Sequence, residues 1–214
     1  MDLHLATTFV VATLLLSLAP GPDMLFIIAN GTSGGRRAGV VAALGVSTGL
    51  AFHTTAAALG LGFLIRSAPG ALTAVRIGGA VVLVYLAITT WRSSRHPDRK
   101  PATTGAALPR RSLKRTYLMA ALTNLANPKV ILFYVAFLPQ FLTTGTGAWP
   151  VTAQLFVLGA MFIVVGLSVD GPVGMLSGTL SERITSRPSI RKWLERVSAG
   201  VFAGLAARLM FDSQ

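Results

Sequence analysis

Asp23, Lys129 and Asp170 are ionisable residues set deep within apolar stretches, a placement that is costly unless such charges pair or face a cavity. A static ion pair between Lys129 and either acid would lock a helical bundle. Two acids and one base leave one acid over, able to hold an ammonium group or to carry a proton. Two proline-rich interruptions accompany these charges. The segment Ala19-Pro20-Gly21-Pro22-Asp23 cannot continue a helix comfortably, because each proline removes a backbone donor and crowds the preceding turn. Asn127-Pro128-Lys129 reads as an N-cap followed by a first helical residue, and Gly21-Pro22 reads in the same way. Each interruption thus predicts a new helix N-terminus, whose unpaired N–H groups and partial positive charge favour an anion such as a carboxylate. The alternative is a pair of packing kinks.

His53 and Asn124 are the remaining polar candidates. His53 suits a proton relay, histidine being the side chain whose reference pKa lies nearest neutrality, although a hydrogen bond to a neighbouring helix explains it more simply. Asn124, one turn before Asn127, is a lining residue or a cross-helix hydrogen-bonding group. Gly45-Val46-Ser47-Thr48-Gly49 matches a hydrolase nucleophile pattern without the strand-turn-helix context that such a nucleophile needs. Ser47 and His53 are six residues apart, about 240° around a helix, so they do not form a catalytic pair. No catalytic residue is assigned. Gly45 with Gly49, Gly174 with Gly178 and Gly200 with Gly204 read instead as small-residue helix contacts. Cysteine is absent and the three histidines are scattered, which excludes disulfides and thiolate metal sites and offers no metal cluster.

The elements that must position these groups follow from composition. Of 214 residues, 52% are hydrophobic and 12% charged, with mean hydropathy +0.64, whereas soluble domains carry about 25% charged residues. Six apolar runs are marked: Leu3 to Asn30, Gly39 to Ile65, Pro69 to Trp91, Tyr117 to Leu142, Pro150 to Leu176 and Trp193 to Met210. The last is short, and needs Arg196 and Arg208 to snorkel. The runs are too long and continuous for barrel strands. An all-α integral membrane protein with six transmembrane helices is predicted, helices 1 and 4 being interrupted. The first seven residues contain no Lys or Arg, so the first run reads as a retained helix and not a signal peptide.

Fifteen of the nineteen basic residues fall in or at the edge of three connections: after span one, between spans three and four, and between spans five and six. By the positive-inside rule these are cytoplasmic and both termini lie outside. The formal charge of +12 is therefore a topology signal resting on anionic headgroups, and no nucleic-acid partner is expected. The Pro-, Ser- and basic-rich stretch 92–116 divides a single transport domain, 1–214, into halves 1–91 and 117–214. Three crossings per half force the second to run inverted, a recurrent transporter plan in which paired interruptions mark the site. Asp23 lies 13 residues before Arg36, Lys129 lies 14 after Arg115 and Asp170 lies 12 before Glu182. At helical rise each sits roughly 18 to 21 Å from the cytoplasmic charges, in one layer.

Pro20-Gly21-Pro22-Asp23, Gly34-Gly35-Arg36-Arg37-Ala38-Gly39, Gly49-Leu50-Ala51-Phe52-His53, Asn124-Leu125-Ala126-Asn127-Pro128-Lys129 and Phe137-Leu138-Pro139-Gln140-Phe141 together make a specific combination. The chain resembles the LysE/RhtB family of amino-acid exporters from span one to span six, and Asp170 falls where members often carry an acid. The short last span departs from some members, as does Gly171-Pro172, which reads as a helix breaker directly after the acid. The resemblance implies export of amino acids or close derivatives across the bacterial cytoplasmic (inner) membrane, coupled to protons or to the membrane potential, without a cofactor. It allows for a homodimer. The expected site comprises Pro20, Gly21, Pro22, Asp23, Asn127, Pro128, Lys129 and Asp170, with His53 and Asn124 beside it. Other classes are a scaffold or sensor that keeps the exporter fold and, more remotely, a cation exporter or an intramembrane hydrolase.

Overall fold

In the first apolar run Pro20 and Pro22 leave the carbonyls of Leu16 and Leu18 without their helical donors, and the chain answers with two helices, α1 (Leu3–Leu18) and α2 (Pro22–Gly34), bent by 53°. The structure is a computed structural model that describes residues 3–67, 112–143 and 145–185, together with scattered helical residues within 77–95 and 192–207. Gly21 is the extended N-cap of α2 and Pro22 its first helical residue, as the sequence predicts. Gly35, at φ 81°, turns the chain from α2 into α3 (Arg36–Ser67), a backbone region that favours glycine.

The second interruption has the same grammar. Helix α4 (Leu113–Leu125) is capped by Ser112, and therefore begins four residues before the apolar run does. After Ala126 the side chain of Asn127 accepts the N–H of Lys129 at 3.0 Å and starts α5 (Pro128–Leu132). The chain continues through a π turn (Phe133–Phe137) and a 3₁₀ turn (Leu138–Phe141), irregularities that accompany the missing donor of Pro139. The axis bends by 48° at this break.

Helix α6 (Val151–Thr185) corrects one expectation. Gly171-Pro172 does not break it. Pro172 denies a donor to Ser168, but a single proline is tolerated in a membrane helix where neighbours hold the axis, and α6 is packed against α1, α2 and α3.

α3 and α6 are each long and apolar enough to cross a membrane, and the two bent segments are so when each is taken as one span. Four of the six expected spans thus lie among the described residues, which contain no strand. The third and sixth, Pro69 to Trp91 and Trp193 to Met210, lie largely outside them. Their described residues are helical.

Glycines set the closest approaches. Gly39 of α3 meets Gly174 of α6 backbone to backbone, and Gly45 meets the Tyr117 carbonyl and the Ala120 methyl group of α4. Among the described residues a Cβ at Gly200 or Gly204 would meet nothing within 4 Å. A second layer of the core is aromatic, with Phe133 at 4.6 to 5.9 Å from the rings of Phe9, Phe137 and Phe162. These rings wedge α1, the π turn and α6 together below the breaks.

Candidate functional site

Lys129 emerges from the first turn of α5 and crosses to the other break. Its Nζ donates to the carbonyl of Leu16 at 2.9 Å and to that of Ala19 at 3.0 Å. Leu16 is four residues before Pro20, so the proline that removes the helical donor leaves the carbonyl that the ammonium takes. Charge-assisted bonds of this kind are about twice as strong as neutral ones.

Asp23 returns the connection. It sits in the first turn of α2, where the helix dipole favours an anion. Its Oδ2 accepts from Asn127 Nδ2 at 2.8 Å and from Asn124 Nδ2 at 2.9 Å. The base of the second break therefore binds the first, and the acid of the first binds the second. Asn124 has room for this because Gly49 on α3 lies against it: a Cβ there would come within 2.8 Å of Asn124 Cβ.

Asp23, Lys129 and Asp170 line one small cavity, with Asn124, Met24 and Ser17 among the other walls. The cavity measures about 30 Å³, room for a water molecule and less than any amino acid requires. Both acids attract the ammonium through space, yet its hydrogen bonds go to carbonyls. The alternative of an ion pair clamping the bundle is not what holds Lys129. Two buried acceptors, Asp23 Oδ1 and Asn124 Oδ1, have no hydrogen-bond donor. Gly21 keeps the approach to the ammonium open, since a Cβ there would lie 3.2 Å from Lys129 Nζ.

The other expected residues separate by role. Pro20, Pro22 and Pro128 shape the breaks. Of the two helix N-termini expected to meet a carboxylate, the one at Asn127 is capped by its own side chain, which leaves the α2 end. His53 Nε2 donates to the carbonyl of Asn124 at 3.3 Å and its ring stacks on Tyr134 at 5.5 Å, the interhelical bond that was its simpler explanation. Ser47 bonds the Ala43 carbonyl instead of His53. Among the described residues no group of three or more His, Asp or Glu could hold a metal ion.

Phe162 and Gly166 also line the cavity and carry no polar signal. They lie eight and four residues before Asp170, the spacing of one helix face, so the helical register around that acid contains them.

A family model, LysE type translocator, matches residues 14–213. An uncharacterized membrane protein of Vibrio cholerae is 33% identical over 204 residues, 95% of each chain. The homoserine/homoserine lactone efflux protein of Salmonella typhimurium is 30% identical over 206 residues, 94% of this chain and 93% of its own. An uncharacterized membrane protein of Bacillus subtilis is 27% identical over 77% of this chain and 79% of its own. No solved structure matches at a significant level. With the match spanning both breaks and the charges between them, this chain belongs to the LysE type translocator family of membrane proteins.

Proposed function

We propose that the protein exports amino acids or close derivatives from the cytoplasm across the bacterial inner membrane, using the cavity between the two breaks. The observation that carries this reading is the reciprocal bonding of Lys129 to the Leu16 and Ala19 carbonyls and of Asp23 to Asn124 and Asn127 around a cavity lined also by Asp170. A zwitterion matches these groups. Its carboxylate takes Lys129 and the open N-terminal end of α2 beside Gly21 and Pro22. Its ammonium supplies donors to Asp23 Oδ1 and Asn124 Oδ1, acceptors that are otherwise buried without one, at about 1–3 kcal/mol each. Asp170, the acid left over, faces the ammonium or carries the proton that couples export to the gradient or the membrane potential. The name of the Salmonella relative makes homoserine and its lactone the first substrates to try.

Six spans in two inverted halves, with both termini outside, complete this reading. Alternating access rocks one half against the other. The small cavity supports it, because an amino acid enters only if the halves separate.

Cells loaded with a dipeptide test the function. Hydrolysis inside raises the free amino acid, and expression of the protein is expected to lower that level and raise the external one. Unchanged accumulation across a panel of dipeptides and homoserine would identify a scaffold or sensor instead.

A further inference from the structure

A second hollow, of about 460 Å³, lies between the end of the third expected span and the start of the sixth. One wall is the helix face of Ala87, Ile88 and Trp91, and the other is that of Ala199, Gly200 and Ala203, in each case residues at spacings of three and four. Small residues make the hollow wide, and among the described residues nothing lies within 4 Å of a Cβ built on Gly200. Its charges gather at one end. Arg92, Arg95 and Arg196 line it there, and the guanidinium groups of Arg95 and Arg196 lie 5.7 Å and 5.8 Å from the centre of the Trp91 ring.

From the backbone positions of Arg95 and Arg196, 1.5 Å per helical residue gives about 11 Å to Ala87 and Ala203. The hollow is thus amphiphilic in the sense of a phospholipid: cationic at the mouth, aromatic at the boundary and aliphatic beneath. Stacking on Trp91 engages the face of a guanidinium, and its in-plane N–H fork is the part that pairs with phosphate oxygens. Tryptophan at such a boundary is the usual marker of the headgroup level.

We propose that this hollow is a binding site for one anionic phospholipid, its phosphate held by Arg95 and Arg196 and its acyl chain lying between Ala87 and Ala203. The site is separate from the transport cavity and joins the two expected halves, since one wall belongs to each.

The test uses the full-length protein carrying Trp149→Phe and Trp193→Phe, which leaves Trp91 as its sole tryptophan. It is reconstituted in phosphatidylcholine vesicles containing either brominated phosphatidylglycerol or brominated phosphatidylcholine. Quenching of Trp91 is expected to favour the anionic lipid by at least about fivefold in relative affinity. Arg95→Gln and Arg196→Gln are each expected to lower the preference by about fivefold. Ala203→Leu, which fills the hollow and keeps every charge, is expected to reduce quenching by both lipids. Equal quenching by the two lipids, or a preference unchanged in all three variants, would overturn the proposal. So would loss of the preference on adding excess inorganic phosphate, which would make the occupant a free anion. Absence of quenching by either lipid would point to a second copy of the chain or another protein segment covering the hollow, and would overturn it as well.

Discussion

The carboxylate of Asp23, in the first helix break, accepts a 2.8 Å hydrogen bond from the side chain of Asn127, the residue that caps the helix after the second break. Lys129 makes the reverse connection to Leu16 and Ala19. Neither break is closed by its own residues alone. A change at one is therefore felt at the other, a coupling that a transporter rocking about its midplane can use.

Asn127 has two tasks that substitution can separate. Asn127→Ala removes the cap, at about 1 kcal/mol, and a hydrogen bond to a charged group, at about 1.5–3 kcal/mol. Thermal unfolding in detergent should show a loss of about 3 kcal/mol in total. Asn127→Asp keeps a capping oxygen but sets one carboxylate against another, so its transport should fall further than its stability does. A variant Asp as active as the parent protein would disconnect Asn127 from Asp23.

Gly49 matters because of what it leaves room for. Gly49→Ala pushes a methyl group into Asn124, and overpacking of this kind costs about 1–3 kcal/mol. Substrate counterflow should drop with it, since Asn124 holds Asp23. Gly60→Ala, on the same helix with nothing within 4 Å among the described residues, should be neutral or stabilising by about 0.5–1 kcal/mol. Equal behaviour of the two variants would show that α3 does not shape the site.

Gln154 closes the loop before α6 from a buried position. Its Oε1 accepts from Thr143 N at 2.8 Å and Oγ1 at 3.1 Å, and its Nε2 donates to the carbonyls of Thr143 at 3.0 Å and Trp149 at 2.7 Å. Gln154→Leu leaves those backbone groups without their partner, so a loss of about 2–4 kcal/mol is expected from groups left unsatisfied at about 1–3 kcal/mol each. Limited proteolysis between Thr143 and Trp149 should accelerate. Gln154→Glu, which keeps the acceptor, should lie between the two.

Much of this architecture is legible in the residues. Pro20, Pro22 and Pro128 announce both breaks, because the loss of a backbone donor is a local event. The common layer of Asp23, Lys129 and Asp170 follows from helical rise alone, and the three do line one cavity. What the charges bond to is not local. The sequence offers Lys129 two acids, whereas its bonds go to the Leu16 and Ala19 carbonyls, which side-chain inspection does not count as partners. Pro172 misleads in the opposite direction: it reads as a breaker, but packing against three helices carries α6 through it.

The most direct test is counterflow in proteoliposomes, with the labelled amino acid that the parent protein exports best, comparing the parent with Lys129→Gln. Loss of a charge-assisted contact to the substrate carboxylate, about 3 kcal/mol, predicts a fall of about a hundredfold in a variant that still inserts and unfolds cooperatively. Counterflow at the parental rate in a folded Lys129→Gln protein would contradict the account, because the two breaks would then be a scaffold and not the substrate site.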